Sequence, residues 1–110
     1  MATEQSTVDF LLDQISGAGF VRARKMFGEY ALYCNEKVVA LVCADKLFVK
    51  PTTAGRKLLT TLDEAPPYPG SKNYFHISGD YWEDKEWLSN LIATTANELP
   101  MPKPKKKKSS

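Results

Sequence analysis

The chain has 110 residues, a formal net charge of +2 and 43% hydrophobic residues, which fits one soluble globular domain. Its longest apolar stretch, Val38 to Ala44, is far too short to span a membrane, which takes ~20 residues. The first residues have neither the basic nor the apolar region of a secretory signal, so we expect a cytoplasmic protein.

The net charge conceals a difference between the body of the chain and its end. Residues 1–98 carry ten basic and thirteen acidic groups, a net charge of −3, and the other five basic residues follow them. Those five are the expected non-specific contacts with nucleic acid: Lys103, Lys105, Lys106, Lys107 and Lys108. Because nucleic-acid-binding domains usually carry their basic excess on the folded body, any such binding should be weak and confined to the tail.

Prolines at positions 100, 102 and 104 interrupt any helix, and the lysines beyond them have little to bury. The sequence therefore predicts a domain over residues 1–99 and a disordered Pro/Lys-rich tail over residues 100–110.

The domain is predicted to be α+β, with an antiparallel meander of four to five strands flanked by three helices. Strands are expected over residues 22–26, 30–34, 37–43 and 46–50, with a short fifth over 74–77, because these segments are rich in Val, Tyr, Phe and Leu. The connections are too short for parallel crossovers, so neighbouring strands should be antiparallel.

Capping residues indicate where the three helices begin and end. The N-terminal helix is expected to be capped by Ser6 or Thr7 and to be ended by Gly17 and Gly19. A short middle helix should run from the cap Thr52 to about Leu62. The C-terminal helix should start near Glu83 or Asp84, where acids favour a helix start.

Two-residue turns at Asn35-Glu36 and Ala44-Asp45 predict the register of the hairpins. In that register Leu32 lies opposite Val39, and Tyr30 lies opposite Leu41. One face then holds Tyr30, Leu32, Val39, Leu41 and Phe48. The other holds Tyr33, Val38, Ala40, Val42, Leu47 and Val49. Because both faces are apolar, we expect both to be covered at least in part.

Several kinds of chemistry are unsupported by the sequence. Cys34 and Cys43 should be ~20 Å apart in the predicted hairpin, too far for a disulfide, so both are expected to be free thiols. One histidine, His76, and two separated cysteines do not make a zinc site. We therefore predict no catalytic residue, no cofactor and no metal, with His76 as a structural or surface residue rather than a general base.

Basic and aromatic residues are the candidate contacts with an anion or a partner: Arg22, Arg24, Lys25, Lys50, Arg56, Tyr68 and Tyr81. Arginines two apart on a strand point to one side and could bind an anion bidentately. The alternative is an edge strand that its charges protect from aggregation. The two tyrosines are either interface anchors or rings that fold back onto the sheet.

A string of residues near the start of the meander resembles the TfoX/Sxy N-terminal domain, which occurs in bacterial regulators of natural competence. The string is Lys25-Met26-Phe27-Gly28-Glu29-Tyr30-Ala31-Leu32-Tyr33, followed by Leu47-Phe48-Val49-Lys50. The similarity continues through Ala54-Gly55-Arg56, the loop at residues 66–70, Tyr74-Phe75 and Trp87-Leu88, and covers about residues 8–98. It implies an α+β domain with an antiparallel sheet.

The resemblance also implies a non-enzymatic regulatory module that binds a protein partner. Full-length members of the family are transcriptional co-regulators that act with a cyclic-AMP receptor protein and carry a helical C-terminal domain, which we expect this chain to lack. The partner suggested for this chain is a transcription regulator. Two alternatives remain: a small nucleic-acid-associated protein that uses the lysine tail, and a small-anion-binding or enzymatic domain that uses Arg22, Arg24, Lys50, Arg56 and His76.

Overall fold

The computed structural model of the protein describes residues 3–26, 29–59 and 63–100. Within them the helices are α1 (Gln5–Gln14), α2 (Thr53–Arg56) and α3 (Lys85–Glu98). The strands are β1 (Val21–Met26), β2 (Glu29–Cys34), β3 (Lys37–Cys43), β4 (Lys46–Val49), β5 (Glu64–Ala65) and β6 (Tyr74–Ile77). The α+β class is confirmed. None of the helices in this part of the chain is long and apolar enough to cross a membrane.

The strands form one antiparallel sheet in the order β1-β2-β3-β4-β6-β5. The first four make the predicted meander. The predicted strand at residues 74–77 is confirmed as β6, and it pairs with β4 on one side and β5 on the other. Strand β5 was not predicted, because two residues are too few to show a strand's alternation of apolar and polar side chains.

The register of the second hairpin differs from the prediction. Cys34 lies opposite Lys37 as expected, but a β-bulge between Leu32 and Tyr33 shifts the pairing, so that Leu32 lies opposite Ala40 rather than Val39. Tyr30 consequently lies opposite Val42 rather than Leu41. An extra residue in one strand of an antiparallel pair has this effect, and turn length alone cannot reveal it.

The bulge changes which residues share a face. The predicted grouping of Tyr30 and Leu32 with Leu41 and Phe48 is wrong. The face that the helices cover holds Tyr30, Leu32, Cys34, Val39, Ala40, Val42, Leu47, Val49, Phe75 and Ile77. The core is completed from the helices by Val8, Leu11, Ile15, Leu88, Leu91, Ile92 and Ala96. Leu41 and Phe48 lie instead on the opposite face with Tyr33 and Val38, which we call the open face.

The start of helix α1 is held by a residue that is distant from it in sequence. The capping role predicted for Ser6 or Thr7 is wrong, because the N-cap residue is Glu4 and its own side chain caps nothing. The Asp45 carboxylate, from the turn between β3 and β4, accepts hydrogen bonds from the Glu4 N–H and the Thr7 hydroxyl, both at 2.9 Å. The turn therefore supplies the acceptor that α1 lacks locally.

The other two helices begin where the sequence predicts. The Thr52 hydroxyl accepts from the Gly55 N–H at 2.9 Å, and the Asp84 carboxylate accepts from the Trp87 N–H at 3.1 Å. Helix α2 is shorter than expected. It ends at Arg56 rather than near Leu62, which lies outside the described residues, and Leu58 and Leu59 pack against the core after it.

Both predicted two-residue turns are confirmed, and both use left-handed backbone. Asn35 and Glu36 have φ of 53° and 70°, and Ala44 and Asp45 have φ of 52° and 60°. Consecutive positive φ values match the type I′ turn, whose twist fits that of antiparallel strands. The sequence also predicts a turn at Phe27-Gly28-Glu29, between the first two strands, which falls mainly outside the described residues.

Ala44→Gly should raise the free energy of unfolding by about 0.5–1 kcal/mol, because alanine is strained at positive φ and glycine is not. The Ala44 N–H bond to Glu29 is retained in this variant. The matched control is Ala93→Gly in the interior of α3, which should lower the same quantity by about 1 kcal/mol. Urea denaturation measures both. Equal losses in the two variants would contradict the left-handed turn.

Candidate functional site on the open face of the sheet

The open face carries a row of side chains that crosses the sheet. Strand pairing aligns Arg24, Ala31, Leu41, Phe48 and His76 across five strands. Ala31 and Phe48 are buried, and Leu41 is half-buried. The expectation that both faces are at least partly covered is thus met on this side too, although α1 and α3 pack on the other side.

A cavity of about 480 Å³ lies on this face. Its lining residues come from the adjoining ends of β1, β2 and β3 and from the proline-rich loop that follows β5: Met26, Glu29, Tyr30, Leu41, Cys43, Pro67 and Tyr68. Pro67 is buried, whereas the Tyr68 side chain is 55% exposed at the surface. The loop therefore turns back over the sheet and forms one wall of the cavity.

Glu29 is the charged residue among the seven described residues of this lining. Its Oε1 atom accepts hydrogen bonds from the Thr3 hydroxyl and from the Ala44 N–H at 3.0 Å. The Thr3 hydroxyl also accepts from the Asp45 N–H at 3.3 Å. These contacts tie the N-terminal segment, strand β2 and the β3–β4 turn together, so the carboxylate is held in place at the cavity.

The Cys43 thiol and the Tyr74 hydroxyl, both near the cavity, are held in their protonated forms. Burial, and then the nearby Glu29 carboxylate, raises the pKa of the Cys43 thiol. Burial, with smaller effects from Tyr68 and Cys43, raises the pKa of Tyr74. Because thiolate is the nucleophilic and metal-binding form, Cys43 is poorly suited to either role. Cys34 is also buried, and both cysteines are free, as expected.

The predicted basic candidates do not form one site. Arg22 lies 4.1 Å from the centre of the Tyr33 ring, and its Nη2 is 3.2 Å from Glu36 Oε1. Arg24 is on the same face, but Lys25 projects to the helix side with its pairing partner Tyr30. Lys50, half-buried, follows β4 and donates its backbone N–H to Val39.

Arg56 lies far from the arginines of β1. Its Nη2 is 3.5 Å from Glu64 Oε2, and its guanidinium is 5.6 Å from the ring of Phe75, a residue of the core. Strands β1 and β6 are four strand spacings apart, ~19 Å, so Arg22 and Arg56 cannot bind one small anion together.

A second pocket, about 200 Å³ in volume, lies beside Arg56 and includes Thr53 and Glu98. The Glu98 carboxylate accepts from the Thr53 and Ala54 N–H groups at 2.9 and 2.8 Å. A carboxylate of the chain itself therefore takes the position that an exogenous anion would need at the start of α2.

His76 pairs with a carboxylate that the sequence alone does not place beside it. Its Nδ1 lies 2.9 Å from Asp63 Oδ2, and its ring centre is 5.4 Å from that of Phe48. A base of this kind needs a nucleophile within hydrogen-bond reach. Among residues 3–26, 29–59 and 63–100, no hydroxyl or thiol hydrogen-bonds to the His76 ring.

The two candidate tyrosines lie on opposite sides of the sheet. Tyr68 lines the cavity on the open face, whereas the Tyr81 ring stacks on Trp87 of α3, with ring centres 4.9 Å apart. Tyr81 therefore belongs with the helical layer. The five tail lysines lie outside the described residues, as does most of the predicted tail. Within the described part of the chain, no three His, Cys, Asp or Glu side chains are grouped to hold a metal ion.

Comparison with known proteins places this α+β domain in a family. The family model described as TfoX N-terminal domain matches residues 13–99, so the chain belongs to the TfoX N-terminal domain family. The predicted resemblance is confirmed. The chain is also 43% identical over 108 residues to an uncharacterized 12.7 kDa protein in the trpE 5′ region of Spirochaeta aurantia, covering 98% of this chain and 93% of that protein.

Glu98→Gln should make stability depend less on pH in the acid range. The Ala54 and Thr53 N–H groups, in that order, lower the pKa of Glu98 from its usual 4.5. Since the pKa is lower in the folded state, the stabilisation is present above pH 4.5 and is lost as pH falls through the folded value. The native chain should therefore melt higher than the variant at neutral pH, and the difference should shrink in acid.

The matched control for this comparison is Glu83→Gln. Glu83 is exposed and makes no hydrogen bond with the described residues, so its substitution should change the melting temperature little at either pH. A difference in melting temperature between the native chain and Glu98→Gln that stayed constant from neutral to acid pH would contradict the role assigned to Glu98.

Proposed function

We propose that the protein is a non-enzymatic regulatory module that binds a protein partner through the open face of its sheet. The family supports this role, because full-length proteins with the domain are transcriptional co-regulators. The proposed partner class is accordingly a transcription regulator, and the proposed location is the cytoplasm.

The observation that carries the proposal is the exposure of Tyr68 and Met26 beside the cavity. Their side chains are 55% and 39% exposed, on a face against which neither α1 nor α3 packs. Arg24, also exposed, is next but one to Met26 on β1. Tyrosine, methionine and arginine are enriched at protein interfaces, where large side chains supply the buried area.

The side chains that a catalytic reaction would need are poorly arranged for one, which favours a non-enzymatic role. The buried thiols are held protonated, and His76 pairs with a carboxylate without a nucleophile beside it among the described residues. The basic side chains are distributed over both faces and both edges of the sheet. The small-anion alternative therefore has less support than a binding surface.

Tyr68→Ala should weaken binding of the partner by about thirtyfold or more, as expected for an interface anchor worth ~2 kcal/mol. The partner would first be captured from native lysate, identified and purified, and its affinity for each variant then measured by calorimetry. The melting temperature should change little, because Tyr68 is mostly exposed.

Phe10→Ala is the matched control. Phe10 is 42% exposed on α1, which packs on the other side of the sheet, so this variant should bind the partner as the native chain does. Equal affinities of Tyr68→Ala and the native chain would contradict the proposed surface. Binding that nuclease treatment or deletion of residues 100–110 abolished would favour the nucleic-acid alternative instead.

A further inference from the structure

The cavity beside Tyr68 has the size and composition of a ligand site. Its volume of about 480 Å³ falls within the ~300–1,000 Å³ typical of small-molecule pockets. Apart from Glu29, the described residues that line it are apolar, aromatic or a protonated thiol. Water gains few hydrogen bonds in such a space, and apolar cavities readily accept small organic molecules.

The one charged group among the described lining residues defines the polar part of a ligand. Glu29 Oε1 is engaged by Thr3 and Ala44, whereas Oε2 accepts no hydrogen bond from the described residues. A carboxylate oxygen beside an apolar wall favours a donor or a cation and repels carboxylates and phosphates. Two basic residues on this face, Arg24 and Lys46, do not line the cavity.

The position of Glu29 is fixed before any ligand arrives. Thr3 is buried, and its hydroxyl lies within hydrogen-bond distance of both Glu29 and the Val42 carbonyl. Because the carboxylate is held by partners from two other segments, a ligand would not have to order it. Preorganised groups of this kind contribute more affinity than mobile ones.

We propose that this cavity binds a small organic amine: an apolar body that contacts Leu41, Met26 and Tyr68, and one ammonium group that donates to Glu29 Oε2. Amine binding does not require the protein partner proposed above, although both would contact Tyr68. Amine binding would change the surroundings of Tyr68 and thereby alter the surface that the open face presents to a partner.

The probe is 2-phenylethylamine, compared with 2-phenylethanol, which has the same body without the charge, and with phenylacetate, which carries the opposite charge. Binding to the full chain is followed by two-dimensional ¹H–¹⁵N NMR. The amine should cause saturable shifts at residues 41, 43 and 68. The alcohol should bind about tenfold more weakly or worse, and the acid should not bind measurably.

Glu29→Gln keeps an oxygen for Thr3 and Ala44 but removes the charge. It should therefore lower the affinity for the amine about tenfold or more and leave the affinity for the alcohol almost unchanged. Glu36→Gln is the matched control: it removes a glutamate paired with Arg22 outside the lining and should not alter amine binding. Leu41→Trp narrows the cavity and should weaken both probes, which keeps the proposal testable if Glu29→Gln folds poorly.

The absence of saturable shifts with the amine would overturn the proposal. Equal affinity for amine and alcohol would also overturn it, as would equal weakening of amine binding by Glu29→Gln and Glu36→Gln. Either result would show that the Glu29 carboxylate does not recognise the amine. Shifts confined to residues distant from the cavity would overturn it as well.

Discussion

A single extra residue in β3 determines how both faces of the sheet are used. At the bulge, Val39 and Ala40 are adjacent in sequence yet both belong to the core, which regular alternation forbids. From Ala40 onward β3 is displaced by one residue against β2. Val42 consequently enters the core, and Leu41 and Cys43 project to the open face.

The cavity depends on that displacement. Because Leu41 and Cys43 face away from the helices, the ends of β2 and β3 present apolar side chains next to the Glu29 carboxylate. The turn after β3 then supplies Ala44 and Asp45, which hold Glu29 and the start of α1 respectively. The same register thus positions the residues of the core beneath the helices, of the N-terminal contacts and of the candidate site. Tyr68, from the loop after β5, closes one side.

Much of the fold follows from local signals in the sequence. The caps Thr52 and Asp84 act on residues three positions away, and the two-residue turns at 35–36 and 44–45 are set by the strands beside them, so both could be predicted. The cap of α1 could not, because Asp45 lies 41 residues from Glu4. The bulge was missed because turn length defines register only near the turn.

The candidate site was harder to predict than the fold because its parts are distant in sequence. Tyr68 was identified from its loop, but its position over β3 depends on how that loop folds back, and the Asp63 partner of His76 depends on the pairing of a two-residue strand. Arg22 and Arg24 do share a face, as their spacing predicts. Glu29, Leu41 and Cys43 were missed, since only the shifted register brings them together.

The candidate site depends most directly on the register of β2 and β3, which cross-strand nuclear Overhauser effects can determine in isotopically labelled protein. The bulged register predicts contacts that join the backbones of Leu32 and Ala40 and of Tyr30 and Val42. Contacts that join Leu32 to Val39 and Tyr30 to Leu41 would instead describe an unbulged hairpin. That result would return Leu41 to the helical face, remove one wall of the cavity and contradict the proposed site.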